Sequence, residues 1–145
     1  MRLLLVHAEY FHYEARIRAS TKAEPLTKEN RAVSLSNVLI VFAGVEEQDK
    51  RCLPYVIEKA CREIVNRAKK LEVNNVLIYP FNYLAPSLAS PDVFIRAMAE
   101  LEREISSNGF RVIRAPYGWY KRFYLRCKNH PLAEVSLRIS PQCCV

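Results

Sequence analysis

The chain is poor in glycine, with three in 145 residues (Gly44, Gly109 and Gly118). Their positions make neither a G-x-G-x-x-G turn nor a P-loop, so nucleotide binding by those routes is unsupported. A G-x-S-x-G elbow is absent, and no Ser-His-Asp order stands out. The five cysteines (Cys52, Cys61, Cys127, Cys143 and Cys144) are odd in number, lack C-x-x-C spacing and accompany no secretory signal. They are expected to be reduced thiols, and the adjacent Cys143-Cys144 pair would need two further ligands for tetrahedral zinc, so neither a structural metal nor a cofactor is expected. No apolar run approaches the ~20 residues of a membrane helix, and Leu3-Leu4-Leu5-Val6 is too short for a signal-peptide core. The expected location is cytoplasmic, with no membrane partner.

What remains is ordinary globular composition: half the residues are apolar and 26% are charged. A length of 145 residues suits one domain spanning 1–145 and is short for two. Twenty-two Lys and Arg against fifteen Asp and Glu leave a net charge of +7. That balance fits either a polyanionic partner such as tRNA or a merely basic surface.

Short apolar runs at Met1 to His7 and Val38 to Val45 read as buried strands, separated by a polar segment, Ala19 to Asn37, expected to be a loop or an excursion hairpin. From Leu53 to Leu71 the set Val56, Ala60, Ile64, Ala68 and Leu71 recurs at helical spacing. Asn75 to Phe81 is a third strand, closed by Pro80. Ser90-Pro91-Asp92 carries an N-cap, a proline at the first helical position and a first-turn acid, and Asn108-Gly109 is the matching stop. Strands Phe110 to Arg114 and Tyr120 to Lys128 follow, joined through Pro116-Tyr117-Gly118. Leu132 to Ile139 fits a short helix or a strand, and the helix is preferred. The order implies an α/β fold in which helices pack on a mixed β-sheet.

Few residues are candidates for chemistry: His7, His12, His130, Lys121, Glu134 and the tyrosines. His7 and His12 read as loop histidines with local hydrogen bonds. Alternation from Tyr120 onward sets Lys121 on the apolar face with Phe123, Leu125 and Cys127. A lysine of that parity either snorkels to water along its stem or is held in a pocket for a purpose. His130-Pro131 either ends a strand or opens the next element. With a helix beginning there, Glu134 would lie one turn past His130, within reach of Lys121 or the Tyr120 hydroxyl; otherwise it is a solvated acid.

Five blocks together resemble the N-terminal editing domain of archaeal threonyl-tRNA synthetases, whose fold is D-aminoacyl-tRNA deacylase-like. They are Leu4-Leu5-Val6-His7 with Tyr10 and Tyr13-Glu14, the Val38 to Val45 strand, Val76 to Phe81, Ala115 to Lys121, and Cys127 to Glu134. The resemblance covers nearly the whole chain. It implies removal of L-serine wrongly attached to threonine tRNA, by hydrolysis of the ester at the terminal adenosine with help from the ribose 2′-hydroxyl. Such a second sieve has a physical basis, because the one methyl separating serine from threonine is worth only ~1–3 kcal/mol in a pocket. Among site residues it implies Lys121 as the group positioning water and substrate, with Tyr120 beside it. Glu134 would contact the amino group or the lysine, and backbone near Gly44-Val45 and the Pro80-Phe81 corner would hold the adenosine and aminoacyl groups. Tyr117 and His130 join these as substrate contacts.

One position departs from the pattern, since Tyr83 stands where family members have histidine. A phenol does not titrate near neutral pH, so a positioning role fits Tyr83 better than general-base work. Implied partners are the 3′ end of tRNA(Thr) carrying serine, a second copy of the chain, and the rest of a synthetase in cis or in trans. A non-catalytic tRNA-binding appendage and a stand-alone D-aminoacyl-tRNA deacylase are the competing readings.

Overall fold

The computed structural model describes residues 1–142, leaving Cys143 and Cys144 outside. Among the described residues, six strands and two α-helices follow the order β1 (Arg2–Arg18), β2 (Ala32–Gly44), α1 (Leu53–Lys70), β3 (Asn75–Pro80), α2 (Pro91–Ser107), β4 (Arg111–Arg114), β5 (Trp119–Cys127) and β6 (Glu134–Arg138). The sheet order is β4-β3-β2-β1-β5, with β6 also paired to β1. Strands β2, β3 and β4 are mutually parallel, while β1 runs antiparallel to β2, β5 and β6. The expected mixed sheet with packed helices is the one observed.

Each parallel step needs a crossover, and α1 and α2 supply them. Both pack on one face of the sheet, where Leu3, Leu5, Leu39, Val41, Val76 and Ile78 meet Val56, Ala60, Ile64, Phe94, Met98 and Leu101. The opposite face carries a second apolar layer of Val6, Phe11, Tyr13, Ile40, Phe42, Leu77 and Tyr79. Helix α2 matches its sequence signals, starting at Pro91 after Ser90 and ending at Ser107 before Asn108, although the Ser90 hydroxyl makes no capping bond.

The long first strand is the main departure from the expected boundaries. β1 continues past His7 to Arg18, and β2 begins within the polar segment at Ala32, so the excursion is an extended antiparallel pair reaching Glu14↔Ala32. Seventeen residues give β1 room for two partners on one edge. Its second half takes β5 and its first half takes β6. That free edge also corrects the helix expected at Leu132 to Ile139. The segment is strand β6, because Val135 and Leu137 pair with Leu5 and Leu3 and pack against the helix-side core. A second correction concerns the thiols: Cys52 is disulfide-bonded, whereas Cys61 and Cys127 are free. Bridging depends on Cα proximity in the fold, which residue spacing does not reveal.

One buried ionic cluster ties β1 to the start of α1. The Met1 α-ammonium donates to Asp49 at 2.7 Å and to Glu46 at 3.3 Å, and Arg2 Nε donates to Glu46 at 2.9 Å. Burial would raise the Glu46 pKa, but hydrogen bonds from Arg2 and Gln48 and the adjacent ammonium outweigh it, and the carboxyl is held below its ordinary 4.5. The stabilisation this confers is therefore present above pH 4.5 and is lost as the pH falls through the lower folded-state value. Asp49 and the Met1 ammonium are both fully buried, and without the Asp49 charge the ammonium keeps Glu46 at 3.3 Å and the Ile139 carbonyl at 2.8 Å. Asp49→Asn is expected to cost about 1–3 kcal/mol in urea unfolding at pH 7, the scale of losing one buried hydrogen bond to a charged group. A loss below about 1 kcal/mol would show that the pair contributes little.

Candidate functional site

The turn between β4 and β5 is built before the pocket it serves. Glu24, in the loop after β1, accepts two hydrogen bonds from Arg114 Nη1 (2.7 and 2.6 Å) and one from the Tyr117 N–H (3.0 Å). Its backbone carbonyl accepts the Trp119 indole N–H at 2.7 Å. The Gly118 carbonyl accepts from the Ala19 and Ser20 N–H groups at 2.8 and 3.2 Å. Gly118 itself adopts φ +88°, and a Cβ there would stand 2.6 Å from the Ala23 Cα. Only glycine fits this contact.

That turn presents two carbonyls to Lys121. Nζ donates to Pro116 O at 2.9 Å and to Trp119 O at 3.2 Å, and it lies 5.1 Å from the centroid of the Tyr79 ring. The expected parity holds, since Lys121 lies over Tyr79 of the helix-free layer and lines the same pocket as Phe123. Burial pushes its pKa down from 10.5 to about 8, against the opposing influence of the Glu24 charge. At neutral pH the group remains mostly ammonium, with roughly a tenth neutral at pH 7. An ammonium has three N–H donors, and two are already committed. The third is left for whatever occupies the pocket.

The pocket has a volume of about 360 Å³ and is lined by Tyr79, Pro80, Phe81, Tyr83, Tyr117, Tyr120, Lys121 and Phe123, with Trp119, Gly118, Asn82 and Ala19. Its aromatic wall is continuous. Phe42 lies 5.3 Å from both Tyr79 and Phe81, Tyr79 lies 5.6 Å from Phe123, and Phe81 lies 5.3 Å from Tyr83. Tyr83 itself is 81% exposed and stands at the rim, on the short turn Asn82–Leu84.

Six of the sequence-derived site residues thus come together: Lys121, Tyr120, Tyr83, Pro80, Phe81 and Tyr117. Four do not line this pocket. Gly44 packs behind it, where a Cβ would meet Leu84 Cβ and Phe81 O, both at 3.3 Å, and Val45 is fully buried in the helix-side core. Their part is to let the 81–85 segment approach the end of β2, where the Phe81 N–H donates to Ala43 O at 2.8 Å. Glu134 sits in a neighbouring hollow with Leu4, Val6, Phe42, Leu125 and Cys127, and this hollow shares Phe81 and Phe123 with the first. Since β6 is a strand, the helical turn expected to carry Glu134 toward Lys121 is absent. Its Oε1 instead faces the Cys127 thiol at 3.4 Å.

His130 belongs to a separate polar chain. Its Nε2 is 3.0 Å from His7 Nδ1, His7 Nε2 is 2.8 Å from Asn37 Oδ1, and the Leu132 N–H donates to His130 Nδ1 at 3.2 Å. An amide oxygen at one end and an N–H at the other fix both imidazoles as neutral Nε2–H tautomers, in keeping with the burial that lowers the His7 pKa. This chain anchors the loop before Glu134. Two residues escaped the sequence reading: Tyr79, whose ring carries Lys121, and Glu24, which holds the turn. Tyr79 was detectable as the polar-tipped side chain that follows the apolar run Val76-Leu77-Ile78, whereas Glu24 gave no local signal.

The site is thus a lysine held by two carbonyls inside an aromatic pocket of a mixed α/β domain. Comparison with known proteins narrows the class. Residues 1–139 match the model of the archaea-specific editing domain of threonyl-tRNA synthetase. The chain is 43% identical to a threonine–tRNA ligase of Thermococcus onnurineus and 41% identical to that of Thermococcus sibiricus, over 97% of its own length in each case. It is 39% identical to that of Methanopyrus kandleri over 98%. It spans only 22–23% of these ligases. Among solved structures, the c-Myc DNA unwinding element binding protein superposes with a TM-score of 0.67 at 10% identity, covering 98% of this chain and 100% of that one; this likeness concerns the fold alone. The chain belongs to the archaea-specific editing-domain family of threonyl-tRNA synthetase.

Gly118→Ala is expected to lower the melting temperature by at least about 5 °C, since the left-handed φ alone costs ~1–2 kcal/mol and the Ala23 backbone clash adds to it. An unchanged melting temperature would mean that the turn rearranges freely.

Proposed function

We propose that residues 1–145 form one proofreading domain that removes L-serine from mischarged tRNA(Thr) by hydrolysing the ester at the terminal adenosine. The observation that carries this reading is Lys121, a half-buried ammonium with two N–H groups spent on Pro116 and Trp119 and one left for the pocket. A positioned cation of this kind can orient an ester carbonyl and stabilise the negative charge that develops on it as water attacks. The aromatic wall suits an adenine ring, and Tyr120 and Tyr83 at the rim offer hydroxyls for orientation. No imidazole or carboxylate lines the Lys121 pocket among the described residues, so water activation is assigned to the RNA's own 2′-hydroxyl. Glu134, across Phe81 and Phe123, is assigned to the substrate amino group. A homodimer, a cytoplasmic location, and linkage to the rest of a synthetase in cis or action beside it in trans belong to the same proposal. The deciding experiment compares L-seryl-, L-threonyl- and D-aminoacyl-tRNA on one preparation. Selective loss of serine supports the editing reading, preference for D-aminoacyl esters favours the deacylase alternative, and binding without hydrolysis favours the appendage.

Lys121→Met is expected to keep the fold and tRNA affinity while cutting single-turnover hydrolysis of seryl-tRNA by at least ~100-fold. Near-normal hydrolysis would leave Lys121 as a snorkelling residue. Because the ammonium is the working form and its pKa is about 8, the ratio of catalysed to spontaneous hydrolysis should fall as the pH rises through that value. A ratio that climbs above pH 8 would point to a neutral-amine base instead. Tyr83→Phe should lower the rate modestly with no displacement of the pH profile, and abolished turnover in a folded variant would assign chemistry to the phenol.

A further inference from the structure

A second depression opens from the first at the edge of the sheet. It has a volume of about 390 Å³, is lined by Glu14, Arg16, Ile17, Tyr120, Lys121 and Arg122, and shares Tyr120 and Lys121 with the pocket. It forms where the last residues of β1 pair with the first of β5: Glu14 opposite Arg122, Ala15 opposite Lys121 and Ile17 opposite Tyr120. The register slips between Ala15 and Ile17, and the extra residue is Arg16. A bulge of this kind re-aims a side chain, and the Arg16 side chain is 74% exposed.

The surface is unusual in composition. Ile17 is 65% exposed and Tyr120 is 60% exposed, side by side on a sheet edge. Around them stand three guanidinium groups. Arg16 is paired with Glu14, Arg18 lies 5.5 Å from the Trp119 ring centroid, and Arg122 makes no ion pair among the described residues. The single carboxylate lining the groove, Glu14, is taken up by Arg16, which leaves the groove net positive. Flat apolar surface flanked by cations is what sequence-independent binding of single-stranded nucleic acid requires, with bases stacked on the apolar groups and phosphates on the arginines.

Resting on the editing reading above, we infer that this groove holds the unpaired nucleotides that precede the terminal adenosine, so that the RNA strand leaves the Lys121 pocket over Tyr120 and runs between Arg16 and Arg122. The strand has to leave the pocket somewhere, and this groove shares residues with it. The cleft lined by Arg2, Lys50, Arg51 and Arg138 is also basic, but it shares no residue with the pocket and contains Glu46 and Glu47. Arg16 and Arg122 therefore contribute affinity for tRNA and nothing to the reaction of the terminal nucleoside alone.

The test compares two substrates, L-seryl-tRNA(Thr) and 3′-O-L-seryl-adenosine, with wild-type protein, the double variant Arg16→Ser/Arg122→Ser, and Arg138→Ser, after melting curves show all three folded. In the double variant kcat/KM for the tRNA is expected to fall about tenfold, hydrolysis of seryl-adenosine to stay within about twofold of wild type, and the salt dependence of tRNA binding to flatten by about 1.4 in log-log slope, the loss of two single-strand phosphate contacts. Arg138→Ser is expected to change none of these. Equal losses on both substrates, an unaffected tRNA, or a loss carried by Arg138→Ser would each overturn the assignment. Failure of the editing reading looks different, since the wild-type protein then hydrolyses neither substrate. Filter binding of uncharged tRNA decides the groove in that case, and equal affinity of wild type and the double variant overturns it.

Discussion

The functional face depends on one constraint: a lysine ammonium must be kept out of bulk water without being neutralised by a carboxylate. Two backbone carbonyls and an aromatic ring achieve this at Lys121. Carbonyl dipoles solvate a cation only if they are held in place, and the 116–119 turn cannot hold itself. Glu24 does so from a distant loop, gripping Arg114 and the Tyr117 N–H, while the Gly118 carbonyl receives the N–H groups of Ala19 and Ser20, just past β1. A direct Glu24–Lys121 ion pair would have kept the lysine fully charged and occupied. With the carboxylate held by Arg114, the ammonium keeps a lowered pKa and one N–H not committed to a carbonyl.

The same economy runs through the sheet. One long strand, β1, serves two partners on one edge, and the place where β5 starts against it is where Tyr120 and Lys121 emerge. Both helices cover the opposite face, which leaves Tyr79, Phe81 and Phe123, backed by Phe42, to form the pocket wall. The site is thus a consequence of one-sided helix packing: a sheet covered on both faces would have buried it.

Much of this was legible from residues alone, and the exceptions share a cause. Helix α2 was bounded by Ser90-Pro91-Asp92 and Asn108-Gly109 because proline and glycine act locally on the backbone. The parity of Lys121 was legible because strand alternation is also local. β6 was not, since Leu132, Val135 and Ile139 fit helical spacing while Val135, Leu137 and Ile139 fit alternation, and only the free edge of β1 decides between them. Glu24 and Arg114 stand 90 residues apart, and the Cys52 bridge likewise depends on tertiary proximity. Of the site residues, those in the Pro80-Phe81 and Tyr117-to-Lys121 blocks converged on one pocket. Gly44 and Val45 proved to support it from behind, and Glu134 and His130 lie beside it because the segment that carries them pairs as a strand.

The claim beneath all of this is the electrostatic state of Lys121, and it can be read without any substrate. Heteronuclear NMR of the Lys121 side chain, assigned by the signal that disappears in Lys121→Met and followed from pH 6 to pH 11, measures it directly. The account predicts a titration midpoint of about 8. A midpoint at the ordinary lysine value of 10.5 would mean a solvated, snorkelling side chain and would contradict it.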